Sequence, residues 1–157
     1  MPLIPTQLAT RLEQDWLAAD GGSFPGSVQE SGQRFATAVA TWFAAAMAGP
    51  FPCATAQARQ PQLASAAAGA LAAGLPPLAG MQLAQAVGAY MTGQVFGAGT
   101  AAAPAALPVA IAGFGAVFAD LDQQAEERAR LVAVGCWTLA LSTIVAFPAP
   151  LPPLPVL

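Results

Sequence analysis

Between Arg59 and Asp120 no residue is charged, so positions 60–119 form a neutral block of sixty residues. Such a block is expected to be covered by neighbours in an assembly or to meet lipid, because dispersed charge is what normally opposes association. The rest of the sequence does little to compensate. Charged residues make up 8% of the 157, against about 25% in ordinary globular domains. Arg11, Arg34, Arg59, Arg128 and Arg130 supply all the positive charge, lysine and histidine are absent, and the net charge is −3. Nucleic acid is therefore not an expected partner, since neutralising phosphates takes clustered cations.

The length suits one domain with a core of its own, so neither disulfides nor a metal is required for folding. Cys53 and Cys136 are too few and too far apart for a metal motif. They read as buried thiols, with a bridge between the two halves of the chain as the alternative. The start, MPLIPTQLATRLEQDW, has neither the basic opening nor the apolar run of a secretory signal, which implies cytoplasmic synthesis.

Helical periodicity dominates. Leu8, Leu12 and Trp16 recur every four residues with Arg11, Glu13 and Asp15 elsewhere, predicting a first amphipathic helix that Gly21 and Gly22 stop. Ser27 and Glu30 stand at capping-box spacing, and Phe35, Val39, Trp42 and Phe43 then repeat at helical intervals. Trp16 and Trp42 read as core anchors. PQLASAAAGALAAG favours helix locally but offers little area to bury. In the following segment Leu83, Val87, Tyr90 and Met91 share a side, opposite Gln82, Gln85 and Thr92. An amide face of this kind suits a surface later buried against protein, because amides are less costly to desolvate than ions.

GAGTAAAPAALP reads as loop, and the proline-free stretch after it as helix across its charges, with Glu126 and Arg130 at the spacing of an i,i+4 ion pair. Residues 138–147 read as helix or short strand, since Thr138, Thr143, Ile144 and Val145 favour strand without clean alternation. No internal repeat stands out. The expected fold is mostly α: a single helical domain of four to six helices over residues 1–147, with an extended N-terminus and a proline-rich extended strap over 148–157.

The usual equipment of catalysis is missing. Without histidine or lysine, a serine or cysteine nucleophile has no activating base. The acids Glu13, Asp15, Asp20, Glu30, Asp120, Asp122, Glu126 and Glu127 fall on predicted helix faces, as solvated side chains do. Asp120 and Asp122, two apart, would not share a helix face as a metal pair. GQVFGAGT has spaced glycines but follows a helix and lacks the context of a phosphate loop. The sequence thus predicts a non-enzymatic interaction or structural protein, with no catalytic or metal residue, no cofactor and no small-molecule substrate.

The strap, FPAPLPPLPVL from Phe147, holds five prolines and no charge. Polyproline-like chain loses little freedom on docking, so Leu151, Leu154, Val156 and Leu157 are expected as interface anchors, seated on a neighbour or on the chain's own domain. The alternative is a small holin-like membrane protein spanning with residues 131–147, which as one helix would reach about 26 Å, short of the ~30 Å hydrocarbon core. FPGSVQESGQRFATAVATWF and ERARLVAVGCWTLALSTIVAFPAPLPPLP, in an alanine-rich and lysine-free chain, resemble small virion structural proteins of tailed bacteriophages. That resemblance implies a component of capsid, neck or tail, assembled in the host cytoplasm against copies of itself or other virion proteins.

Overall fold

The computed structural model describes residues 2–18, 21 and 24–157; Asp20 and Gly22, expected near the end of the first helix, lie outside the described residues. The fold is mostly α, as expected. Among the described residues there are six α-helices: α1 (Pro5–Arg11), α2 (Val28–Phe43), α3 (Gln60–Leu71), α4 (Pro76–Met91), α5 (Leu107–Ala119) and α6 (Ala125–Leu141). A π-helical turn, Leu12–Trp16, extends α1. Six short strands join them: β1 (Met47–Ala48), β2 (Phe51–Pro52), β3 (Val95–Phe96), β4 (Gly99–Ala101), β5 (Ile144–Ala146) and β6 (Leu154–Pro155).

The helices start where local chemistry allows. Ser27 caps α2, its Oγ accepting the Glu30 N–H at 3.1 Å, while the Glu30 carboxylate reaches back to the Gly26 N–H at 2.7 Å and pairs with Arg34 at 2.5 Å. The Gly26 contact first, and Arg34 second, hold the Glu30 carboxyl below its ordinary range. Leu8, Leu12 and Trp16 are buried as their spacing predicts, and the indole N–H groups of Trp16 and Trp42 donate to Ser31 Oγ (2.9 Å) and the Ile4 carbonyl (3.0 Å). Both tryptophans can therefore be buried without stranding a donor.

Contrary to the sequence reading, the molecule is an internal repeat. Adding 48 to the numbers of the buried residues of α2 (Gly32, Phe35, Ala36, Ala38, Val39, Ala40, Trp42 and Phe43) gives Gly80, Leu83, Ala84, Ala86, Val87, Gly88, Tyr90 and Met91, all buried in α4. Adding 49 to Gly80, Leu83, Ala84, Val87, Tyr90 and Met91 gives Ala129, Val132, Ala133, Cys136, Leu139 and Ala140, the buried residues of α6. Each of these helices runs into an antiparallel hairpin: β1–β2 after α2, β3–β4 after α4, β5–β6 after α6. The first two hairpins turn through Gly49 (φ 59°) and Gly97 (φ 60°), a left-handed conformation that costs glycine no Cβ clash.

The three hairpins close on one another. β4 pairs with β5, and isolated bridges one residue past β2 and β6, Cys53–Phe96 and Ala48–Val156, link the two-stranded sheet β1–β2 to the four-stranded sheet β3–β4–β5–β6, so the strands follow a cyclic antiparallel order. The same hydrogen bonds recur at each step. Cys53, Ala101 and Val156 donate to the carbonyls of Ala46, Gln94 and Thr143 at 2.9, 2.9 and 3.1 Å, and Ala54, Ala102 and Leu157 donate to Val95, Ile144 and Met47, each at 2.8 Å. The cyclic order gives each strand a neighbour on both sides for part of its length, which helps such short strands persist.

A second helix packs beside each of α2, α4 and α6: α3 on α2, α5 on α4, and α1 on α6. All three of these helices begin with proline at the first or second position, Pro61, Pro108 and Pro5, where the missing N–H costs nothing. The helix that completes the third unit thus comes from the N-terminal side of the sequence.

Several local expectations are corrected. The presumed loop GAGTAAAPAALP contains β4, and the long proline-free stretch breaks between α5 and α6, leaving Asp120 and Asp122 in the connection, where Asp120 Oδ1 accepts the Asp122 N–H at 3.2 Å. Arg130 pairs with Glu127 at 2.5 Å instead of Glu126. Residues 138–147 are both alternatives at once, helix to Leu141 and strand from Ile144 to Ala146. Residues 131–147 are consequently no single helix, and among the described residues no helix is long and apolar enough to cross a membrane.

Candidate interaction surface

The strap folds against its own chain. Val156 is fully buried, Leu154 is half-buried with Cδ1 against Gly49, and Leu157 holds Met47 through both backbone groups at 3.0 and 2.8 Å. Leu151 and Leu157 remain 45% and 48% exposed, so within the chain they are not the buried anchors expected; Val156 takes that role because it faces the core at the β6–β1 seam. The third hairpin differs from the others in its long connection, residues 147–153, whose prolines and Leu151 face solvent.

The neutral block contains the whole of α3, α4 and α5, so these helices carry no charge on any side. Val109 is 70% exposed and Leu75 64%, with Leu78 and Met81 also exposed. Between α5 and α6 runs an apolar groove of 260 Å³, lined by Val109, Gly113, Phe114, Val117, Leu131, Val134, Gly135 and Thr138. It exists because glycines stand on both walls and the Phe114 ring lies over Gly135, so that no side chain fills the remaining space. A larger depression of 610 Å³ runs along α1 and the π-helical turn, and its lining of Gln7, Thr10, Arg11, Gln14 and Asp15 is the polar outer face of that one helical stretch.

A buried polar cluster lies at the seam of the first and second units. Gln94 is fully buried; its Oε1 accepts from Thr55 Oγ1 (2.6 Å) and Cys53 Sγ (3.6 Å), and its Nε2 donates to the Tyr90 carbonyl at 2.9 Å. Tyr90 OH donates to Ala56 O at 2.8 Å, and Arg59 donates to the carbonyls of Tyr90, Thr92 and Ala89, closing the C-terminus of α4. Burial raises the Tyr90 hydroxyl and the Cys53 thiol above their ordinary ranges. Every group in this cluster is used in joining α4 to the chain before α3, so its chemistry is that of a fastening. Sequence reasoning passed over it because a lone glutamine near a helix end carries no signal until the hairpins close around it.

Cys53 and Cys136 are free, and burial pushes the Cys136 thiol up to about 12. Among the described residues no group of three or more His, Cys, Asp or Glu side chains is placed to hold a metal. No family model matches the chain, no curated protein matches it, and no solved structure matches it.

Proposed function

We propose that the protein is a non-enzymatic structural subunit that packs in a multi-subunit assembly, and that the assembly is a virion, with this chain in the capsid, neck or tail of a tailed bacteriophage, assembled in the host cytoplasm. One observation carries the assembly reading: α4 and α5 carry no charge and, with the residue before α4, present Leu75, Leu78, Met81 and Val109 to solvent. Single exposed apolar residues are ordinary, but here no charged neighbour on the same helices opposes association. The exposed Leu151 and Leu157 add apolar contacts of the same kind. The partners are other copies of the chain or other virion proteins, and the virion assignment is supported by the resemblance of the two quoted sequence stretches.

Sedimentation of the detergent-free protein tests the first half. Association that weakens in a Leu78→Asp, Val109→Asp double variant with unchanged circular dichroism supports the reading; a wild-type chain that stays monomeric at high concentration refutes it. Mass spectrometry of purified particles from the producing cells tests the second half, and absence of the chain from them refutes the virion assignment.

A further inference from the structure

The helix on α6 is joined to the wrong unit. α1 packs mainly on α6 in the third unit, while the π-helical turn that follows it lies against both α6 and α2, with Trp16 on Phe35 and Ser31, and the covalent link runs through residues 17–27 to α2 in the first unit. In the other two units the second helix is connected directly to its own hairpin, and its crossing with the first helix is locked by glycine: a Cβ at Gly32 or Gly80 would meet backbone atoms of α3 or α5 at 2.6 or 2.3 Å. At the matching place α6 has Ala129, and a gap of 150 Å³ lined by Pro5, Thr6, Ala9, Arg130 and Val134 remains beside the α1–α6 contact. α1 is therefore held by apolar burial of Leu8 and Leu12 and by single hydrogen bonds such as Trp42 to the Ile4 carbonyl, all of which any copy of the chain offers equally.

We propose that residues 2–16 form an exchangeable closing segment, and that the partner for the α6 surface is the same segment of a second copy of this chain. Reciprocal exchange keeps every contact and changes only which chain supplies it, which is the condition for domain swapping at low cost. The balance is then set by the linker: residues 17–27 hold the chain's own segment at an effective concentration of about millimolar, and exchange prevails when the linker can no longer fold back. This inference is independent of the uncharged faces of α3, α4 and α5.

Deleting residues 17–26 from the full chain leaves Ser27 alone between Trp16 and α2, too short to reverse direction. The expected result is a dimer of doubled mass with wild-type helical content, abolished by adding Leu8→Asp and Leu12→Asp. A deleted chain that stays monomeric and folded, or a dimer indifferent to those two substitutions, overturns the proposal. Should the deleted chain aggregate, the full-length Leu8→Asp, Leu12→Asp chain mixed with a synthetic peptide of residues 2–18 decides. One-to-one binding with a gain of helical signal is expected, lost when the peptide carries the same substitutions, and failure of the native peptide to bind overturns exchange.

Discussion

Replacing Gly80 by alanine puts the helix-crossing geometry to a test in which two effects of opposite sign compete. In an exposed helix interior the change stabilises by about 1 kcal/mol, because alanine loses less backbone freedom on folding. At Gly80 the new Cβ would stand 2.3 Å from the Phe114 carbonyl oxygen and 2.8 Å from its carbon, some 1.1 Å short of the 3.4 Å at which ordinary contact begins. The obstructing atoms are backbone of α5, so relief requires the two helices to move apart, which places the cost near the upper end of the roughly 1–3 kcal/mol typical of overpacking. Overpacking wins, with a net loss of about 2 kcal/mol and a fall in Tm of roughly 4–8 °C for a domain of this size. Gly69→Ala is the control: nothing lies within 4 Å of its Cβ position, so it should gain about 1 kcal/mol. Urea unfolding followed by circular dichroism measures both as shifts in midpoint at constant m. A Gly80→Ala chain as stable as Gly69→Ala would show that α4 and α5 do not cross in backbone contact, and the reasoning would fail.

A circular permutant joining Leu157 to Pro2 by a linker of about five residues and opened within residues 19–23 should fold with native circular dichroism, since Ile4 and Leu157 both bond to the C-terminal end of the α2 unit, at Trp42 and Met47; an unfolded permutant would contradict cyclic closure. Val156→Ala should cost about 2 kcal/mol in chemical denaturation, the loss of two buried methyl groups plus the cavity they leave, and a neutral result would mean that β6 is a loosely attached strap. Cys136 should resist alkylation at pH 8 until the chain unfolds. Its folded thiol keeps its proton up to about 12 while an unfolded one releases it near 9.0, so the folded state binds more protons in that window and stability falls as pH rises from about 9 towards 12. Cys136→Ala should flatten that part of the pH profile, and an unchanged slope would remove the thiol as its cause.

The local half of this fold was legible in the sequence. The spacing of Leu8, Leu12 and Trp16, the Ser27 cap and the apolar side of α4 specify helices because the period of 3.6 is written in neighbouring residues, and the helices form where those patterns lie. The repeat escaped the sequence reading because the positions that recur unchanged between α2 and α4 hold only glycine, alanine and valine (Gly80, Ala84, Ala86 and Val87 answering to Gly32, Ala36, Ala38 and Val39), residues common throughout this chain, while the large side chains differ, Trp42 answering to Tyr90 and Leu139. Strands of two or three residues are likewise too short to show alternation. The end of the chain shows the division most clearly. Composition alone says that a proline-rich, uncharged segment must dock somewhere extended; only the tertiary structure supplies the partner, since Val156 pairs with Ala48 across more than a hundred residues of sequence. Local sequence fixes what a segment can become, while its mate is chosen by which distant backbone groups the closing ring leaves unpaired.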